Sequence, residues 1–358
     1  LFKKLLVIIA SFAVLVGSAL GIWLWQGLQT LEQAVSLEEP VLFVVPAGAG
    51  YDQVARSLEQ TGYIEDSLWM RIHGRLNPEQ MRLKAGEYEF TDGMSHLQMI
   101  QQMASGDTKQ WQIQFIEGWT FSDMRRAIAD NQRLEKVVTA DWTDADIMAA
   151  VGAEGMHPEG RFFPDTYLYT SLETDLDLYR RAFSRMQRVL AQEWENRSED
   201  LPYDSPYQAL IMASIVERET GAPHERDEVA GVFVRRLNKG MRLQTDPTVI
   251  YGMGDKYKGR ITRQDLRAYT DYNTYRINGL PPTPIALPGR EAIHASLHPA
   301  AGDTLYFVAR GDGTHKFSRT LDEHQQAVRE FQLNRRPDYR SSVAVPEPDS
   351  EPGEQDKP

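Results

Sequence analysis

The sequence predicts an α+β protein in three parts: one membrane-spanning helix, a small βααβ module and a larger mixed α+β domain. Three observations predict it. Residues 5–25 carry no charged side chain, and about 20 such residues cross the hydrocarbon of a bilayer as a helix. Between residues 40 and 107 a β-rich run gives way to two amphipathic stretches and then to a short strand. From residue 108 to 335, helical periodicity and short alternating strands are interleaved, with turn residues between them.

The first part is the most sharply marked. Lys3 and Lys4 precede the apolar run, Trp23 and Trp25 lie at its far end, and the first charges after it are Glu32, Glu38 and Glu39. Positive charge flanks the cytoplasmic side and Trp favours the interface. Residues 1–26 are therefore expected to be a retained anchor with the N-terminus in the cytoplasm, and everything beyond to lie outside. The run is longer than the apolar core of a cleaved signal peptide. Residues 27–39 read as a polar linker. The net charge of −12, with no basic tract to offset it, argues against nucleic acid as a partner. The absence of cysteine excludes disulfides and thiolate metal sites.

In the small module, Val41–Val45 is a strand closed by Pro46, Gly48 and Gly50. Tyr51–Gln60 and Ser67–Arg75 read as helices, Tyr88–Phe90 as a strand, and Ser95 opens a further helix to Met103. In the larger part, Trp111–Phe115 alternates as a strand, a helix begins at Ser122, and 135–155 reads as acidic helix. Gly160 and Pro164 inside the aromatic run Glu159–Tyr169 indicate a loop or edge. Asp175–Trp194 is a helix with Leu178, Ala182, Met186 and Leu190 along one side. Ser205–Thr220 is a helix marked at both ends: Ser205 caps it, Pro206 suits its first position, Gln208 completes a capping box and Gly221 supplies a stop. Asp227–Asn238 is helical, and Leu243–Tyr251 reads as extended, broken by Pro247. Tyr269–Gly289 is irregular, Glu291–Leu297 a brief helix, and Leu305–Ala309 pairs with Lys316–Phe317 as a hairpin. A helix runs from Thr320 to about Leu333, and 336–358 is a disordered acidic tail.

Chemistry is sought among the carboxylates. Leu210, Ala213, Ser214 and Glu217 recur at helical spacing, so Glu217 shares a face with small and apolar residues. In the last turn of a helix, both the macrodipole and burial raise the pKa of a carboxyl, which suits a general acid. The structural alternative is an ion pair of Glu217 with Arg235 or Arg236. Glu219, two positions on, points away and reads as a solvated acid. Asp246 and Asp165 are either turn formers or cleft acids. His294 and His298 stand four apart with no HExxH arrangement, so no metal site is expected. The paired glycines form no phosphate loop, and Ser214 lacks a nucleophile elbow.

Five separated stretches carry a resemblance: EGRFFPDTY from Glu159, ASIVERET from Ala213, RLQTDPTVIYG from Arg242, YNTYRINGLPP from Tyr272, and YFVA from Tyr306 with HKFS from His315. In this order, from the anchor to about residue 335, the chain resembles the YceG-like endolytic murein transglycosylases. It departs at Asp271, where a Pro-containing turn is more usual, and at His298, where Asn is. The resemblance implies a single-pass inner-membrane protein with a LysM-like module (40–107) and a periplasmic catalytic domain (108–335). It implies cleavage within peptidoglycan glycan strands without a cofactor, beside peptidoglycan synthases. It also implies that the first Glu of the Val-Glu-x-Glu motif, Glu217, is catalytic. Gln244, Thr245, Asp246, Tyr251, Asn273 and Tyr275 are expected near the cleft as polar and stacking contacts. A hydrolase using Glu217 with Asp246 or Asp165, and a wall-binding scaffold without activity, are the alternatives.

Overall fold

The charge-free N-terminal run forms one continuous helix in the computed structural model, which describes residues 2–336. This helix, α1 (Phe2–Gln29), is apolar on every side. Its side chains are exposed, Leu5, Ile8, Phe12 and Leu15 all by more than half. An all-round apolar helix of this length meets the requirement for crossing a bilayer, about 1.5 Å per residue over roughly 30 Å. The predicted acidic tail lies outside the described residues, apart from Arg336.

The remainder is mixed α+β and divides into two units. Unit 1 comprises the residues up to Gln112 with Arg133–Glu135 and Leu168–Glu173. In it, β1 (Val41–Val45) pairs antiparallel with β2 (Gly86–Phe90), Val41 opposite Phe90 and Val45 opposite Gly86. Between the two strands lie α2 (Tyr51–Gln60) and α3 (Ser67–Leu76), and α4 (His96–Ser105) follows. Strand alternation points Phe43, Val45, Tyr88 and Phe90 inward, where they meet Val54 and Leu58 of α2, Met70 of α3 and Met99 and Met103 of α4. Leu31, in the stretch read as a polar linker, is buried in the same core.

Unit 2 comprises Ile113–Gln132, Lys136–Tyr167 and the chain from Thr174 onward. Strands β3 (Trp111–Gln114) and β4 (Thr166–Tyr169), each divided between the two units, precede and follow α5 (Phe121–Asp130) and α6 (Asp144–Ala150). The helix expected over 135–155 is confined to α6. Its start is set by a Thr143–Asp146 capping box, while the backbone N–H groups of Val137 and Val138 are held by the Asp175 carboxylate instead of a helical ladder.

The centre of unit 2 is α8 (Pro206–Glu219), in which every residue from Ala209 to Val216 is buried. A helix buried on all faces needs neighbours all round. Here they are α7 (Asp175–Glu195), α9 (Arg226–Asn238), α10 (Asp246–Met253) and α12 (Arg290–Leu297). Between α10 and α12 lies the short α11 (Arg263–Arg267). A hairpin of β5 (Tyr306–Ala309) and β6 (His315–Ser318) and then α13 (Leu321–Val328) complete the unit, the last continuing as a π-turn through Leu333.

Three local expectations are corrected. The stretch 243–251 is not extended: α10 starts at Asp246, and Pro247 occupies its first turn, where a missing N–H costs nothing. The Ser205 capping box is half formed, because the Gln208 side chain accepts from the N–H of Asp204 rather than that of Ser205. Gly221 is not a left-handed stop; α8 ends as Thr220 becomes extended.

The irregular 269–289 segment is tied to these helices through buried polar groups. Ser214 Oγ, at the middle of α8, accepts from the N–H of Ile285 at 3.0 Å and donates to the carbonyl of Ile211 at 2.7 Å. The Leu287 N–H donates to the carbonyl of Trp119, and the Gly118 N–H to that of Leu287. Replacing Ser214→Ala leaves the buried Ile285 N–H without its acceptor. The expected loss is about 1–3 kcal/mol in urea unfolding; an unchanged midpoint would show that the segment is held elsewhere.

Candidate functional site

Three carboxyl groups of unit 2 lie in surroundings that disfavour ionisation, and each is held differently. Glu217, in the last turn of α8, has a side chain only 7% exposed. It accepts from the Gly289 N–H, at the N-terminal end of α12, at 3.0 Å. Arg226 stands 3.8 Å from Glu217 and 3.9 Å from Glu117, bridging the two acids. Burial pushes the Glu217 carboxyl above its usual range, while the Gly289 hydrogen bond opposes the shift. Arg235 and Arg236, the partners considered from sequence, are committed elsewhere. Arg235 donates to the carbonyls of Ala300 and Thr304, and Arg236 to those of Leu243 and Leu305.

Glu219 is the second carboxyl, and it is not the solvated acid read from the sequence. Its carboxylate accepts a hydrogen bond from the Thr245 hydroxyl. Burial pushes its pKa up to about 7, with the Thr245 bond opposing and the charge of Asp246 adding to the rise. The reason is the turn of 200° that two residues make on a helix: Glu217 faces α12, whereas Glu219 faces the segment entering α10.

That segment lines a cavity of about 430 Å³ together with Glu219, Arg236 and the β5–β6 hairpin. Gln244 and Asp246 open onto it with exposed side chains, and Tyr275 donates to Asp246 at 2.7 Å. Burial keeps the Tyr275 phenol protonated well above neutrality, so it remains a donor. Gln244 has φ 54°, a left-handed backbone that costs a non-glycine residue roughly 1–2 kcal/mol. Its N–H bonds to the Thr274 carbonyl, which holds it there. His315 also lines this cavity. Glu225 clamps it from behind, taking the His315 backbone N–H at 2.9 Å and holding Nδ1 at 2.8 Å.

The fold therefore gathers Gln244, Thr245, Asp246 and Tyr275 around Glu219, and leaves the other named residues elsewhere. Asn273 is buried and donates its amide to the carbonyls of Asp265, Leu266 and Ala268, which shapes the loop. Tyr251 donates to Glu159 at 3.0 Å. Asp165 is ion-paired with Arg185. Glu159 is the third carboxyl: it also accepts from the Phe121 N–H at 2.9 Å, at the start of α5, and burial pushes it up to about 7. Glu159, Glu225 and His315 were missed as partners. Glu159 and His315 lie within the similar stretches and Glu225 does not, and the pairings span 38 to 92 positions and leave no local signal. Candidate metal donors gather apart from this cavity, at Glu193, His294 and His298.

Comparison with known proteins gives the family. The family model described as the YceG-like family matches residues 43–330. The chain belongs to the YceG-like family. An endolytic murein transglycosylase of Bacillus subtilis strain 168 is 31% identical over 303 residues, covering 80% of this chain and 83% of the relative. One from Streptococcus pneumoniae serotype 2 is 25% identical over 319 residues, covering 80% of this chain and 57% of that protein. A solved YceG-like protein of Listeria monocytogenes is 28% identical, covers 81% of this chain and 99% of its own, and has a TM-score of 0.49. All three buried carboxyls of this YceG-like chain lie within the matched residues.

Glu159 yields a pH-dependent prediction. A carboxyl whose folded pKa is raised contributes stability that is fully present below its unfolded value, near 4.5, and lost as pH rises through about 7. Glu159→Gln keeps an acceptor for Phe121 and removes the charge. Thermal midpoints measured between pH 5 and pH 8.5 should fall less in the variant than in wild type. Parallel curves would place the ionisation of Glu159 outside this range.

Proposed function

We propose that this chain is a membrane-anchored endolytic peptidoglycan transglycosylase that cleaves MurNAc-β-1,4-GlcNAc bonds within glycan strands, and that Glu219 is its acid. The observation that carries the assignment is the pairing of a near-neutral pKa with an open polar cavity at Glu219. Membership of the YceG-like family supports the reaction class, since the relatives that match most of this chain are named for that activity. Glu217 is the second reading. It is favoured by its own raised pKa and by its place as the first acid of the motif, but its carboxylate is engaged with Gly289 and Arg226.

One carboxyl suffices for this chemistry. Protonated Glu219 gives its proton to the glycosidic oxygen while an oxocarbenium-like centre develops at C1 of MurNAc. The resulting carboxylate then takes the proton of the same sugar's C6 hydroxyl, whose oxygen closes on C1 to leave a 1,6-anhydro end. The nucleophile is already attached to the reacting sugar, so the second step gains effective molarity without a bound water. Thr245 holds the carboxyl in place, and Gln244, Asp246 and Tyr275 supply hydrogen bonds to sugar hydroxyls. The ordinary glycosidase alternative needs a second carboxyl as nucleophile or base, and Asp246 is the acid beside Glu219 that could fill that role.

The remaining assignments belong to the same reading. Residues 1–26 anchor the chain in the cytoplasmic membrane with the N-terminus inside, and the catalytic domain, 108–335, works in the periplasm. The module spanning 40–107, strand–helix–helix–strand in order, serves as a LysM-like glycan holder. An anchored cutter of this kind terminates or releases strands beside the synthases that make them.

The deciding experiment is digestion of purified glycan strands by wild type, Glu219→Gln and Glu217→Gln, with mass analysis of the ends. Glu219→Gln should lose at least ~100-fold in rate, and wild-type products should carry anhydro ends. Wild-type activity should fall as pH rises through about 7, because the acid must be protonated. Full activity in Glu219→Gln with loss in Glu217→Gln transfers the role to Glu217. Reducing ends in place of anhydro ends make the protein a hydrolase, and strand binding without cleavage by wild type makes it a scaffold.

A further inference from the structure

Helices α7 and α12 pack against each other near their C-terminal ends, and three side chains that bind transition metals converge there. Glu193 comes from the last turn of α7, His294 from α12, and His298 is the residue that ends α12. One ligand atom from each lies within 4.8 Å of the others. His294 Nδ1 is 2.9 Å from Glu193 Oε2, and the two imidazoles are stacked with centroids 4.2 Å apart. The Ser198 hydroxyl lies 3.4 Å from His298 Nδ1.

We propose that Glu193, His294 and His298 form a divalent transition-metal site, with Zn²⁺ as its ion. Zinc bonds of roughly 2.0–2.2 Å hold tetrahedral ligand atoms about 3.4 Å apart. The three ligand atoms already lie within 4.8 Å of one another, and His294 is exposed. Two imidazoles and one carboxylate leave a fourth position for solvent. Arg290 donates to Glu193 Oε1 at 2.6 Å, so the carboxylate is oriented by a second partner with Oε2 turned toward His294. Imidazole-rich sets favour Zn²⁺ over the harder Mg²⁺ and Ca²⁺. No HExxH spacing announces the site, because the acid is supplied by a helix 101 positions away. Bound metal would staple α7 to α12, two of the helices that enclose α8.

The test titrates the full chain in detergent, stripped with chelator, with ZnCl₂ by calorimetry, and uses MgCl₂ as the control. One Zn²⁺ per chain should bind and raise the thermal midpoint, and Mg²⁺ should do neither. His294→Ala and His298→Ala should each weaken zinc binding at least ~10-fold. Glu193→Gln, which keeps the Arg290 contact through its amide oxygen, should weaken it as well. No zinc binding by wild type overturns the site, and so does equal affinity in the properly folded double histidine variant.

Discussion

The larger unit depends on one constraint: α8 is buried on all sides, yet its last turn carries two carboxyl groups. Burying an apolar helix over eight consecutive residues, Ala209 to Val216, is favourable for unit 2 as a whole. The same burial deprives Glu217 and Glu219 of water at the C-terminal end of the helix, where the macrodipole opposes negative charge. Each must therefore find a donor or stay neutral. Glu217 finds a backbone N–H and an arginine. Glu219 accepts from a neutral hydroxyl beside another acid, and burial pushes its pKa up to about 7.

This difference in partners turns two adjacent acids into different chemical objects. A carboxyl held by a backbone N–H and a nearby guanidinium is fixed in position even though burial raises its pKa, and suits tying α12 to α8. A carboxyl that receives one neutral hydrogen bond at the wall of a polar cavity can release and recover a proton with little rearrangement. The left-handed Gln244 and the Glu225–His315 clamp are consistent with the same reading. Strained backbone and doubly held side chains concentrate where geometry has to be kept for a ligand. The Ile285 N–H bond to the Ser214 hydroxyl fixes the irregular 269–289 segment against α8, so Tyr275 reaches the cavity from a loop that is not free to drift.

Much of the architecture was legible because it is written locally. The charge-free run announced α1, the capping residues Ser95 and Thr320 set the starts of α4 and α13, and short β-rich runs marked both strands of unit 1. The errors share a cause. Pro247 was read as a break when it is a helix start, which depends on where Asp246 sits. The acidic 135–155 stretch was read by composition, whereas its backbone is held by Asp175 from another helix. The site was legible as a set of stretches and not as a set of contacts. Sequence spacing correctly separated Glu217 from Glu219, but only packing reveals which side of α8 meets solvent.

The same reasoning explains why four of the six residues named for the cleft gather and two do not. Gln244, Thr245, Asp246 and Tyr275 come from two segments that the Thr245–Thr274–Thr248 hydroxyl cluster fastens together, so they approach Glu219 as a group. Asn273 is spent organising the backbone that presents Tyr275, and Tyr251, on the far side of α10, is drawn to Glu159. A short polar motif on a curved backbone necessarily divides its side chains between holding the curve and facing the ligand. Buried residues such as Asn273 and Thr274 do the first. Those left partly or fully exposed at the cavity, Gln244, Asp246 and Tyr275, are free to do the second.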